Sequence, residues 1–226
     1  MSNPDSKADW KQLAASRLRS HWRAICLGST AYMVVFFAVY FWLLRHPVFH
    51  VTVMPLTALD RWIGFQPWSI VPYVSLWLYV SLAPLLLQDP GELLFYLREA
   101  IILSLIGFAI FFFWPTAIPK PDINWALHPS VDFLKSMDAS GNACPSLHAA
   151  FAAMSFVWLH RLLRQMGAPV LWRVLNFIWC VGILYSTLAT KQHVAIDLES
   201  GVLLGLGVAI LHPLITSRWS VQYADS

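Results

Sequence analysis

Charged side chains are scarce in this sequence. Asp, Glu, Lys and Arg make up 12% of 226 residues, about half of the roughly 25% usual for a soluble domain. At the same time 58% of the residues are hydrophobic and the mean hydropathy is +0.59. That balance excludes an ordinary soluble enzyme and describes a membrane protein. Cysteine is nearly absent as well. Cys26, Cys144 and Cys180 have no close paired spacing and two of them fall inside apolar runs, which argues against a disulfide framework or a zinc site and leaves them as packing residues. There is no long basic run with interleaved aromatics, so the net charge of +3 is not a nucleic-acid signal. No carboxylate cluster suggests a metal, and no cofactor motif is present. No internal repeat supports a transporter, and the ionisable groups do not gather at a midplane. A cleavable leader is not expected, because the first apolar run is long enough to span and lacks a small-residue cleavage site.

What is present is a series of six apolar stretches, at about 23–44, 67–88, 93–114, 145–163, 171–190 and 193–215. A crossing needs roughly 20 apolar residues for a hydrocarbon core about 30 Å thick. The pattern predicts an all-α membrane protein, a six-transmembrane-helix bundle over residues 23–215, flanked by a basic tail at 1–22 and a short tail at 216–226. In the first tail, Trp10, Leu13, Ala14, Leu18 and Trp22 recur at helical spacing with Lys11, Arg17 and Arg19 between them. That reads equally as a helix in the headgroup layer or as a topogenic tail without fixed structure. The segment RHPVFHVTVMPLTALDRWIGFQP is too broken by proline to span and is expected along the interface, QDPGE is a turn, and the longest polar loop covers about 119–144.

Orientation follows from Lys and Arg. With the N-terminus in the cytoplasm, ten of the fifteen fall inside (Lys7, Lys11, Arg17, Arg19, Arg23, Arg98, Arg161, Arg164, Arg173, Arg218) and five outside (Arg45, Arg61, Lys120, Lys135, Lys191). Both termini are then cytoplasmic, and Lys120, His148, Lys191, His193 and Asp197 all reach the extracytoplasmic face.

Ionisable groups at the mouths of membrane spans are functional-site hypotheses by default. His193 and Asp197 are four apart, so on a helix they share a face; a carboxylate accepting the Nδ1 hydrogen would leave Nε2 as a nucleophile or base. Simple ion pairing yields the same spacing. Pro145 and Ser146 mark a helix start whose N–H groups suit an anion, with His148 within one turn and able to donate a proton. A histidine bonded to the neighbouring loop would look the same. Lys120, between two prolines, and Lys191 add positive charge at this face, pointing to an anionic substrate; snorkelling at helix ends is the alternative for each.

Taken together, these stretches resemble the type-2 phosphatidic acid phosphatase superfamily, whose pattern is K-x6-R-P, then P-S-G-H, then S-R-x5-H-x3-D. The second element appears as Pro145, Ser146, Leu147, His148, and the third as Ser186, Thr187, five residues, His193, three residues, Asp197. The first survives as Lys120 and Pro121, with Phe113 where its leading lysine belongs. Leu147 replaces the glycine and Thr187 the arginine. PSLHAA with TKQHxxxD is similar to a divergent branch that includes inositol phosphorylceramide synthase-like lipid phosphotransferases.

The resemblance implies that His193 attacks phosphorus to form a phosphohistidine, that Asp197 holds its ring, and that His148 protonates the leaving group and then deprotonates water or an alcohol. It implies phosphate binding by Lys120, Ser146, Lys191, Ser186 and Thr187, with Lys191 the candidate substitute for the missing arginine, and it requires no metal. The expected partner is a lipid phosphate or pyrophosphate in the membrane. Phosphatase and phosphotransferase use the same phosphoenzyme, so both readings stand. A catalytically inactive lipid-binding or assembly protein on the same scaffold is the competing reading, and the sequence specifies no oligomeric state.

Overall fold

Continuous apolar runs of about 20 residues satisfy their own backbone in a bilayer as helices, the other spanning solution being a closed barrel of short alternating strands, and helices dominate the structure. The computed structural model describes residues 9–20, 22–129, 131 and 141–215. Lys7, Lys135, Arg218 and the tail at 216–226 lie outside the described residues, as does much of the 119–144 loop. In chain order the helices are α1 (Trp10–Ser20), α2 (Trp22–Arg45), α3 (Ala58–Trp62), α4 (Ile70–Val74), α5 (Leu76–Leu86), α6 (Pro90–Phe113), α7 (Leu147–Gln165), α8 (Val170–Ala189) and α9 (Ala195–Ile215).

Among the described residues, five stretches are long and apolar enough to cross a membrane: Ile25–Arg45, Pro67–Leu86, Pro90–Phe113, Val170–Ala189 and Ala195–His212. The chain is therefore an integral membrane protein. The sixth expected crossing, α7, is helical over 19 residues but is less apolar than these five. Its composition explains this: His148, His160, Arg161 and Arg164 dilute a run that is otherwise Ala, Phe, Leu and Trp. It can carry His148, His160 and Arg161 because it is packed against α5, α8 and α9, whereas Arg164, in its last turn, is exposed. By contrast α8 turns Leu171, Phe177 and Ile178 outward, each more than half exposed, as a lipid-facing surface should.

The α7–α9 contact is close because both helices supply small residues. Ala149, Ala150, Ala152 and Ala153 on α7 are all buried. On α9, a side chain at Gly201 would strike the Ser146 carbonyl and one at Gly205 the Ala150 carbonyl. Such small-residue seams let membrane helices approach backbone to backbone. α6 begins with Asp89, whose side chain accepts from the Glu92 N–H at 2.9 Å, while Glu92 accepts from the Gln88 N–H at 2.8 Å. These bonds satisfy donors that a helix start leaves orphaned.

One end of the bundle is tied together by a short parallel pairing. Thr52–Val53 (β1) aligns with Thr116–Ala117 (β2), and Thr116 bridges to Asn142. The Thr116 hydroxyl also accepts from the Cys144 N–H at 2.7 Å. The connection after α2 and both ends of the connection between α6 and α7 thus converge at the end where α7 and α9 begin.

Candidate active site

The turn between α8 and α9 sets the position of His193. At the end of α8 the Gln192 N–H bonds to the Thr187 carbonyl at 3.1 Å and the Lys191 N–H to the Leu188 carbonyl at 3.1 Å, the paired bonds of a Schellman ending. The residue in the left-handed position is Lys191, with φ of 56°, where glycine is usual and another residue costs about 1–2 kcal/mol. The Thr187 carbonyl also accepts from the His193 N–H at 3.2 Å. His193 is therefore held just outside α9, and Asp197 lies in its first turn.

This differs from one shared helical face. The His193 Nδ1 to Asp197 Oδ2 separation is 3.6 Å, within ion-pair reach but longer than a hydrogen bond. Asp197 is fully buried and its Oδ2 accepts from the Val194 N–H at 3.2 Å. His148, one residue into α7, stacks flat on Tyr73, with ring centroids 4.1 Å apart and planes 13° apart. Both histidines line one cavity of about 730 Å³, together with Asn142, Gln192 and otherwise mainly apolar side chains of α2, α5 and α6. At this end, Asn142 Oδ1, His148 Nε2, Gln192 Nε2, His193 Nδ1 and Asp197 Oδ1 are buried without a hydrogen-bond partner among the described residues. Buried polar atoms are nearly always paired, so such a cluster asks for a ligand or water.

A second, smaller cavity of about 100 Å³ meets His193 from the other side, lined by Lys120, Lys191, Asp60 and Val194. The structure thus brings His148, His193, Asp197, Lys120 and Lys191 to one end of the bundle. Lys120 is exposed. The Lys191 ammonium donates to the carbonyls of Asp60, at 2.9 Å, and Ile63, at 2.5 Å. Partial burial lowers its pKa, and nearby Asp60 opposes that shift.

The remaining candidates build the site's frame. Ser146 caps α7, its hydroxyl accepting from the Ala149 N–H at 3.2 Å, and its own N–H donates to the Asp197 carbonyl at 2.9 Å. Ser186 and Thr187 donate their hydroxyls to the Ile183 and Leu184 carbonyls within α8. Leu147 is buried against Gly107 of α6, whose absent side chain leaves room for it.

Sequence reasoning missed Asp60. Its Oδ2 accepts from both the N–H and hydroxyl of Thr57, each at 2.8 Å, closing a capping box on α3. Its Oδ1 reaches across to the Ala195 N–H at 2.8 Å, capping α9 as well. One buried carboxylate therefore fixes the turn that carries His193. The T-x-x-D spacing of a capping box was the available local signal; the second bond is tertiary and leaves no local trace.

An all-helical membrane bundle with two imidazoles and a buried carboxylate at the head of an apolar cavity defines a membrane-embedded protein with a polar site at its helix ends. The model of the PAP2 superfamily matches residues 93–220, and the chain belongs to that superfamily. The match contains His148, His193 and Asp197 and leaves α1, α2 and Asp60 on its N-terminal side. Comparisons with the curated proteins and with the solved structures returned no match. Members of the superfamily are in general phosphatases, which puts the chain's chemistry in phosphoric-ester hydrolysis or phosphoryl transfer.

Proposed function

We propose that the chain is a lipid phosphatase or lipid phosphotransferase acting on a lipid-linked phosphate or pyrophosphate, with α7 as a sixth crossing and the site on the extracytoplasmic face. The observation that carries this reading is the amphiphilic cavity, with unpartnered polar atoms around His148 and His193 at one end and hydrocarbon and aromatic walls beyond them. A molecule with a phosphate head and an apolar body complements both parts.

In the first half-reaction His193 Nε2 forms a bond to phosphorus as the bond from phosphorus to the lipid oxygen breaks, and His148 gives that oxygen its proton. Asp197 orients the imidazole and balances the charge it gains; closure from 3.6 Å to hydrogen-bond length accompanies substrate binding. In the second, water or a lipid hydroxyl attacks phosphorus, the phosphorus–nitrogen bond breaks, and His148 takes the proton. Lys120 and backbone N–H groups stabilise the phosphoryl oxygens, the dominant electrostatic term in such transfers.

The test is a panel of lipid phosphates given to detergent-purified protein, assayed for free phosphate and for new phospholipid, with His148 and His193 variants as controls. Turnover by His193→Ala at the unmodified rate would sink the reading. The long His193–Asp197 separation and the Lys191 ammonium bound to carbonyls favour a second reading, a lipid-binding protein without turnover. Labelled phosphate trapped on His193 decides against it.

A further inference from the structure

The large cavity is longer than a headgroup site needs. Its wall on α2 runs from Ile25 to Leu44, which at 1.5 Å per residue is about 28 Å, nearly the ~30 Å of a hydrocarbon core. Along α4 and α5 it descends from Tyr73 beside His148 to Pro84, and on α6 it ends at Leu93 near the opposite end of the bundle. A chain confined to one leaflet would fill only about half that depth.

The lower wall is largely suited to hydrocarbon, because apart from Ser29 its hydroxyls are engaged by other groups of the protein. Tyr32 bonds to Ser104 at 2.7 Å and to the Ala100 carbonyl at 3.2 Å, Tyr96 to the Val80 carbonyl at 3.2 Å, and Ser81 to the Trp77 carbonyl at 2.9 Å. The unpartnered polar atoms of the lining are at the histidine end. We infer that this cavity is a tail-binding groove for a single hydrocarbon chain long enough to pass the bilayer midplane, so that the preferred substrate is a long-chain lipid phosphate. The inference rests on the lipid-phosphate reading for its head end.

Gly28 offers a clean plug. It lines the far end of the groove, and nothing lies within 4 Å of where its side chain would project. Gly182 on α8 is equally open and does not line the groove, so it serves as the control. The experiment compares single-chain alkyl phosphates of short, one-leaflet and midplane-crossing length on the full protein, Gly28→Phe and Gly182→Phe. Long-chain phosphate carrying a photoactivatable group at its tail tip is also cross-linked to the catalytically silent His193→Ala protein.

The expected result is a kcat/KM that rises with chain length beyond one leaflet. Gly28→Phe should lose about tenfold on the longest chain, as if roughly two methylenes lost burial, with no loss on the shortest and none from Gly182→Phe. Cross-links should fall on the α2 and α6 residues at the groove's far end. Length-independent turnover, or cross-links on the outer face of α8, overturns the groove while leaving the catalytic reading intact. Far-end cross-links without turnover of any phosphate would support the groove and reject the catalytic reading. Absence of both rejects both.

Discussion

Two buried polar clusters, one joining α6, α7 and α9 and the other at the starts of α7 and α9 with the connections before them, are built on opposite rules. Away from the histidine end, Glu99 is fully buried, yet it accepts from Trp158 Nε1 at 2.6 Å and meets His212 Nδ1 at 3.4 Å; nearby, Arg161 donates to the Ala209 carbonyl at 3.0 Å. Both carboxylate oxygens have partners, and the cluster joins three helices. At the other end, Asn142, His148, Gln192, His193 and Asp197 each leave a buried polar atom open. A closed network stabilises a fold; an open one costs free energy until something binds. The comparison separates a staple from a site more sharply than the presence of ionisable residues, which both clusters share.

That contrast can be broken by experiment. The largest effect expected is from His193→Ala, a loss of on the order of 10⁴-fold or more in turnover, with unchanged or slightly raised thermal stability because an unpaired polar atom is removed. His148→Ala should cost about 10²–10⁴-fold, the range of a proton-transfer catalyst, again with little change in the melting curve. Asp60→Ala falls between the two clusters, since it supports the His193 turn without touching substrate. It should lower kcat by roughly 10–100-fold with a smaller change in KM, as a misplaced reacting group does, and Asp60→Asn should recover part of it. Glu99→Gln should leave turnover within about twofold while costing roughly 1–3 kcal/mol of stability, read as a lower melting temperature, because it weakens a buried bonded carboxylate. If Glu99→Gln abolished turnover at unchanged stability, the division between the clusters would fail.

The helices were largely legible because bilayer thickness imposes a length on apolar runs, and α2, α6, α8 and α9 lie close to the stretches read from hydropathy. α7 was legible by its length and by Pro145–Ser146 at its start, but its charges place it below the apolarity of its neighbours, a consequence of tertiary enclosure. At the site, His148, His193 and Asp197 could be singled out because imidazoles and a carboxylate at span ends are rare. Their arrangement could not. That His193 lies in a Schellman turn ahead of α9 depends on Lys191 adopting a left-handed conformation that its side chain does not favour. Lys191 itself shows the limit of charge counting: its ammonium binds two carbonyls from the segment before α4, partners more than a hundred residues away in sequence.

The glycine seam between α7 and α9 has a consequence for biogenesis. These helices are separated in the chain by α8, and their approach depends on Gly201 and Gly205, which follow all three candidate catalytic residues in sequence. A nascent chain that has inserted as far as Ser200 already carries His148, His193 and Asp197 and the Ser146–Asp197 backbone pair, but not the two glycines that let α9 lie against α7. On the proposed function, full turnover would require the last helix to have docked along this seam, and activity would then report on completed membrane assembly.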